Sequence, residues 1–179
     1  HTSSIRDGKI YSIPPDKSVE EFFKPSGEFW EGGVHFAQEA VGEFFTYCNL
    51  NYGLLGTIIE VVTGERFDIW QKENILNQLD ARADYVPGNL DAAAFEMLGT
   101  LYQKKNSWLA QMDDFKGLQP ARETISLQNP YAENFQQSYS LKNYKVGTNA
   151  TIFSPQGGLR ISFAEMANTL EMLINGGNF

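Results

Sequence analysis

The stretch Phe44-Phe45-Thr46-Tyr47-Cys48-Asn49-Leu50-Asn51-Tyr52-Gly53-Leu54-Leu55-Gly56 opens a helix and sets a Tyr-x-Asn pair at its mouth. Apolar residues at 50, 54, 55, 58, 59 and 62 have the spacing of one buried helix face. Asn49 or Asn51 can cap its start and Gly64 can end it. A tyrosine hydroxyl and a side-chain amide placed there are able to do proton chemistry.

Upstream, residues 1–16 read as loop, and Pro14-Pro15-Asp16 punctuates the entry to a short helix at Ser18-Val19-Glu20-Glu21-Phe22-Phe23. Pro25 to Gly33 is a turn-rich connection. Downstream, Phe67 to Leu79 has apolar residues at 67, 69, 70, 75, 76 and 79, which predicts a second amphipathic helix ending before Pro87-Gly88. Phe95 to Met112 fits a helix or two strands joined across Lys104-Lys105-Asn106-Ser107, and the polar cluster between apolar runs favours the hairpin. From Gln119 to Phe153 the spacing of Pro, Asn, Tyr and Gly reads as an irregular connection, long enough to line a site. Ser162-Phe163-Ala164-Glu165 is a capping box that opens a last helix through Met166, Leu170 and Met172-Leu173. No repeat or low-complexity tract interrupts the pattern. The fold class expected is mainly α with a small β element, as a single domain over residues 1–179.

Composition bounds the function. A chain of 179 residues, 42% hydrophobic and 13% aromatic, is long enough to bury roughly 70% of its extended-chain surface and should be globular. A net charge of −8 argues against a nucleic-acid partner, which calls for clustered Lys and Arg. The single cysteine, Cys48, excludes an internal disulfide. No apolar run approaches the ~18 residues of a membrane-spanning helix.

Three blocks of sequence carry a resemblance to a known family. His1-Thr2-Ser3-Ser4-Ile5, then Val41-Gly42-Glu43 with Phe45, Tyr47 and Asn49, and finally Phe153-Ser154-Pro155-Gln156-Gly157-Gly158-Leu159-Arg160 follow one another along the chain, and the last helix ends at Asn175-Gly176-Gly177. In that order they resemble motifs of the serine β-lactamase and penicillin-binding-protein-like hydrolases, specifically the class C β-lactamase and esterase branch. The first looks like the family's His-Thr-Ser-Gly turn, with Ser4 where glycine is usual. The second resembles Pro-Gly-x-x-Phe-x-Tyr-Ser-Asn, with Val41 for proline and Cys48 for serine. The third resembles Ser-Pro-x-Gly-Gly-Leu.

The family's nucleophile is the serine of Ser-x-x-Lys, and a Lys-Thr-Gly strand lines the far side of its cleft. Neither occurs here: no lysine has a serine three positions before it, and there is no Lys-Thr-Gly. The chain is therefore expected to be an excised piece, the helical subdomain of a β-lactamase / DD-peptidase (transpeptidase-like) α/β fold, with the N- and C-terminal α/β portion absent. The face that packs on that portion should be left bare as an apolar patch, which leaves open a homodimer formed through it. The resemblance also implies a bacterial protein of periplasmic or secreted location, with no cofactor.

Acyl transfer to a serine needs a group that takes its proton and later returns one to the leaving atom. Free tyrosine, with a pKa near 10, is a weak candidate until a lysine ammonium stabilises its phenolate, and the family supplies such lysines. By motif, the resemblance makes Tyr47 the acid/base partner of the missing serine and Asn49 the amide that meets the active-site lysine and the substrate. The substrate implied is a β-lactam, a peptidoglycan D-Ala-D-Ala stem or a small ester. Taken alone, the triplet reads better as a half-buried aromatic with a satisfied hydroxyl and a helix cap; the flanking motifs favour the catalytic reading. A protein that kept the fold and binds cell-wall peptides or antibiotics without turnover is the alternative, which the departures at Ser4, Val41 and Cys48 keep open.

Other residues weigh less. Gly157-Gly158 lacks the Gly-Lys-Ser/Thr of a phosphate loop and reads as a tight turn. Ser154 lies in no Gly-x-Ser-x-Gly elbow. Asp113-Asp114 reads as solvated loop rather than a metal or glycosidase pair, since the two histidines, His1 and His35, are far apart in sequence. Cys48 reads as a small buried replacement for serine more readily than as a reactive thiol. Asn149-Ala150-Thr151 is a glycosylation acceptor triplet.

Overall fold

The computed structural model describes residues 1–104, 108–110, 118–128 and 136–178. Helix α1, Leu50–Thr63, is its spine. The helix lies where expected, but the face it buries is different. Leu50 is buried, and Leu54 and Ile59 pack against core clusters, whereas Leu55, Ile58 and Val62 are 55%, 56% and 78% exposed. The buried face consists of Leu50, Gly53, Gly56, Thr57 and Glu60.

The reason is the neighbour. A 3₁₀ turn at Ala150–Phe153 runs so close to α1 that a Cβ on Gly53 would sit 2.5 Å from Thr151 Cγ2, and one on Gly56 3.0 Å from Ala150 Cβ. Only small residues admit that approach, so the contact face is glycine and threonine and the apolar stripe turns outward. Thr57 seals the contact, its hydroxyl donating to Gly53 O at 2.8 Å and accepting from Ala150 N at 2.9 Å.

The helix start also departs from expectation. Asn49 occupies the cap position without a side-chain cap bond, and Asn51 Oδ1 accepts from Ser3 Oγ instead. The cap is Asp7, whose carboxylate accepts from the backbone N–H of Asn49 and of Leu50, both at 2.9 Å. Gly64 ends the helix as expected, with φ 73° and its N–H bonded to Glu60 O.

Three apolar clusters surround this spine. Ile10, Ile13, Val19, Phe22, Phe29, Cys48 and Leu50 form one at the helix start. Phe67, Val86, Ile125, Leu127, Leu141, Ala150, Ile152 and Phe153 form the second. Leu76, Leu79, Ala81 and Ala83 form the third, against Leu159, Ile161 and Met172. The short N-terminal helix is a 3₁₀ turn, Val19–Phe22, capped by the Ser18 side chain.

The second expected helix is α2, Phe67–Gln71, which continues as a π turn over Lys72–Leu76. A Lys72–Asp84 ion pair of 2.7 Å fastens it to the following loop. Phe95 belongs to a short helix, α3 (Ala92–Glu96), capped by Asp91. Beyond it the hairpin reading holds for the strands described: β1, Tyr102–Lys104, pairs antiparallel with β2, Trp108–Ala110. Lys105-Asn106-Ser107 and Asp113-Asp114 lie outside the described residues.

The irregular connection expected from Gln119 to Phe153 is corrected. It contains a second antiparallel hairpin, β3 (Thr124–Gln128) with β4 (Gln136–Ser140). Ile125 and Leu127 point into the second cluster while Ser126 meets Ser138 on the other face, the period-2 alternation of a half-buried strand. Strands of five residues leave too short an alternation to stand out among Pro, Asn and Tyr turn signals.

Helix α4, Phe163–Ile174, opens with the predicted capping box, Ser162 and Glu165 bonding reciprocally. Met172 and two hydrogen bonds, Asn168 Nδ2 to Leu79 O and Arg82 N to Glu165 Oε1, hold it to the body. Phe163, Leu170, Leu173 and Ile174 on the same helix are exposed. Among the described residues the architecture is mainly helical with a small β element.

The turn before α4 admits no side chain at residue 158. A Cβ on Gly158 would lie 2.5 Å from Phe153 O and 2.9 Å from Ser154 Cβ. Gly158→Ala is expected to cost about 1–3 kcal/mol, as overpacked sites do, measured as a lowered midpoint in urea; an unchanged midpoint would show that the turn yields freely.

Candidate functional site

Tyr47 stands on the segment just before α1 and is 63% exposed, so it is not the half-buried aromatic of the plain reading. Its hydroxyl donates to Asn49 Oδ1 at 3.1 Å, and Asn49 Nδ2 donates onward to Asp7 Oδ2 at 2.8 Å. The His1 ring lies on the Tyr47 ring, centroids 4.9 Å apart and planes 24° apart. His1 Nδ1 accepts from Cys48 N at 3.1 Å, which in the neutral ring leaves the proton on Nε2.

The backbone locks these two segments together. Thr46 N donates to His1 O and Gly42 N to Thr2 O, both at 2.8 Å. Ser4 has φ 60°, the left-handed conformation that glycine adopts freely and serine does not. Its hydroxyl bonds Glu39 O at 2.6 Å, an anchor glycine would lack.

The third block packs on α1, where a Cβ on Gly56 would sit 3.1 Å from Pro155 Cγ. Ser154, at φ 50°, turns the chain so that Gly157 N and Gly158 N both donate to its carbonyl oxygen. Gln156 Nε2 bonds Ser154 Oγ at 2.7 Å, and the Gln156 side chain lies near enough to Tyr11 to act on its phenol. Burial pushes the Tyr11 phenol up from its ordinary value, the nearby Asp7 carboxylate and Tyr47 add to this, and the Gln156 side chain opposes it. Tyr11 therefore remains a neutral phenol at neutral pH. Residues from 1–5 and 41–49, separated along the chain, thus meet around Tyr47 and Asn49, while 153–160 packs on α1 with Gln156 near Tyr11.

In this arrangement the Tyr47 hydroxyl donates to an amide carbonyl. A carbonyl oxygen cannot stabilise a phenolate, so base action by Tyr47 requires a cation brought to its oxygen. The pair is equipped to donate or accept a proton and to present an amide to a bound molecule.

The remaining candidates resolve as structural. Cys48 is fully buried, and burial pushes its thiol up to about 11, the neighbouring Asp7 adding to this. So little thiolate exists at neutral pH that the group is chemically quiet. Asn149 is fully buried with its amide bonded to Ile13 O and Pro14 O, which removes it as a glycan acceptor. Ser154 and Gly157-Gly158 form the tight turn already described. Among the described residues no group of three or more His, Cys, Asp and Glu side chains is arranged to hold a metal ion, and no helix is long and apolar enough to cross a membrane.

Sequence reasoning missed Asp7, Tyr11 and Gln156. Asp7 left one trace: a helix whose own cap asparagines make no cap bond borrows an acceptor from elsewhere, and Asp7 is an acidic residue in the loop that pairs with this segment. Tyr11 and Gln156 left none, since only the fold brings them together.

A search of curated proteins and a search of solved structures returned no significant match. The profile of one family, described as Beta-lactamase, matches residues 15–179 and so takes in two of the three blocks, 41–49 and 153–160. With nearly its whole length matched, the chain belongs to the Beta-lactamase family.

Proposed function

We propose that this chain is the helical portion of a serine hydrolase of the class C β-lactamase and esterase branch, acting through an acyl-enzyme on a β-lactam, a D-Ala-D-Ala peptide or an ester. Tyr47 is the acid/base group that exchanges a proton with the nucleophile and the leaving atom. Asn49 orients the hydroxyl of Tyr47 and presents its amide to the substrate. The serine and its lysine, which supplies the cation that Tyr47 requires, come from outside these 179 residues, because no Ser-x-x-Lys lies within them. The observation that carries this reading is the meeting of two motif blocks, 1–5 and 41–49, around one exposed Tyr47–Asn49 hydrogen bond. A periplasmic or secreted location goes with a cell-wall or antibiotic substrate.

The test is Tyr47→Phe in the full-length hydrolase that carries this segment. Removing a general acid–base group costs about 10²–10⁴-fold in kcat. Tyr47→Phe with unchanged kcat on a nitrocefin-type lactam or a nitrophenyl ester would defeat the assignment.

The same reading gives the outward apolar residues of α1 and α4 a role. Leu55, Ile58, Val61 and Val62, with Phe163, Leu170, Leu173 and Ile174, are proposed to face the α/β portion that holds the serine. Alone in solution the chain is then expected to self-associate, a homodimer being the simplest product, with sedimentation velocity as the check. A sharp monomer at tens of micromolar would count against that role.

A further inference from the structure

We propose that Asp7 is a positioning residue for the Tyr47–Asn49 pair: it selects which end of the Asn49 amide faces the tyrosine. The inference deepens the proposed function and rests on it for its catalytic consequence, though not for its geometry.

An asparagine side chain has a carbonyl end and an NH₂ end of nearly the same shape, and a tyrosine hydroxyl can serve either one. Left to Tyr47 alone, Asn49 has no reason to prefer one orientation. Asp7 supplies the reason. An ionised carboxylate only accepts, so the oxygen 2.8 Å from the Asn49 amide holds its NH₂ end. The carbonyl end is then left to accept from the Tyr47 hydroxyl at 3.1 Å. In that orientation Asn49 offers carbonyl lone pairs toward the tyrosine, the arrangement that meets a cationic or N–H donor arriving there.

Asp7 is itself held in place by more than this one bond. Oδ2 accepts from Asn49 N and Oδ1 from Leu50 N, both at 2.9 Å, and the buried Cys48 thiol lies 3.5 Å from Oδ1. The carboxylate therefore joins the first turn of α1 to Cys48 and to Asn49, the acceptor of Tyr47's hydrogen bond. One side chain, 42 residues away in sequence from Asn49, fixes both the helix start and the amide.

The test has a structural arm on this chain and a kinetic arm on the full-length hydrolase. In the ¹⁵N-labelled chain, the Asn49 Nδ2 protons are expected to give nuclear Overhauser contacts to Asp7 Hβ and none to the Tyr47 ring. In Asp7→Ala, contacts from the Nδ2 protons to Tyr47 Hε are expected to emerge as the amide turns. The wild-type pattern stands as a test by itself if Asp7→Ala does not fold: Nδ2 contacts to the Tyr47 ring in wild type would overturn the proposal. In the hydrolase, Asp7→Ala is expected to lower kcat/KM about tenfold, the worth of one charge-assisted hydrogen bond, and to cost almost nothing further in an Asn49→Ala background. Full additivity of the two substitutions would also overturn it, since a merely structural cap acts whether or not Asn49 is present. A failure of the proposed function reads out elsewhere, as unchanged turnover in Tyr47→Phe.

Discussion

A pure sample of the 179-residue chain is expected to hydrolyse no penicillin, cephalosporin or small ester above the buffer rate. On the proposed reading the pair it carries manages protons, and the bond-forming atom is supplied from outside these residues. No lysine is preceded by serine at the required spacing. Loss of a serine nucleophile costs on the order of 10⁶ in turnover, which takes even a fast hydrolase to the background. Cys48 offers no substitute, because its thiol is buried and pushed up to about 11. The check is a colorimetric lactam and an ester assay at high protein concentration. Turnover that co-purifies with the chain and scales with it would place a nucleophile inside these residues.

The largest effect on stability is expected from Glu60→Ala. Glu60 is fully buried in α1, and its carboxylate accepts from Phe67 N at 2.9 Å, Tyr144 hydroxyl at 2.7 Å and Gly147 N at 2.8 Å. It thereby ties α1 to the start of α2 and to the loop before the 150–153 turn. Truncation leaves one buried and two part-buried donors unmet at about 1 kcal/mol each, a loss of about 3 kcal/mol, or roughly 6–12 °C in a domain of this size. Glu60→Gln is milder in volume but turns an NH₂ toward one of the donors.

The same group carries a pH dependence of definite sign. Burial raises the Glu60 carboxyl above its ordinary value of 4.5, against the pull of the Phe67, Tyr144 and Gly147 bonds. A folded carboxyl that holds its proton more tightly than the unfolded one contributes stability below the ordinary value, and that contribution fades as pH rises through the folded value. Asp68, raised mainly by burial despite its Arg66 partner, acts in the same direction. Urea unfolding from about pH 4 to about pH 7 spans this window. The difference between wild type and Glu60→Gln should change with pH as the folded carboxyl ionises; a difference constant with pH would contradict the assignment.

The apolar stripe of α1 shows how far pattern reading reaches. Its spacing points Leu55, Ile58 and Val62 inward, and the fold turns all three out to the surface. Helix limits, the Gly64 stop, the Ser162–Glu165 capping box and the tight turn at Gly157-Gly158 were legible, because each depends on neighbours a few residues apart. Which side of α1 is buried was not. That side is chosen by the distant 150–153 segment, whose backbone comes too near for anything larger than glycine or threonine. The β3–β4 hairpin was hidden for a related reason, its short alternation standing among residues that also signal turns.

The candidate site divides along the same line. Tyr47 and Asn49 were legible as a motif, and their hydrogen bond is local. Asp7 was not, since it reaches the pair through tertiary contacts that no spacing rule encodes. Ser4 lies between these cases. Its departure from the family's glycine was visible in the sequence, while its left-handed backbone and its compensating bond to Glu39 O required the fold.

The central claim is that Tyr47 and Asn49 serve a serine lying outside this chain, and intact mass tests it most directly. The full-length protein that carries the segment, its Tyr47→Phe variant and the 179-residue chain would each be exposed briefly to a penicillin. The account predicts a stoichiometric penicilloyl adduct on the full-length protein, a markedly slower one on the variant, and none on the chain. An adduct on the chain itself, or acylation of the variant at the wild-type rate, would contradict it.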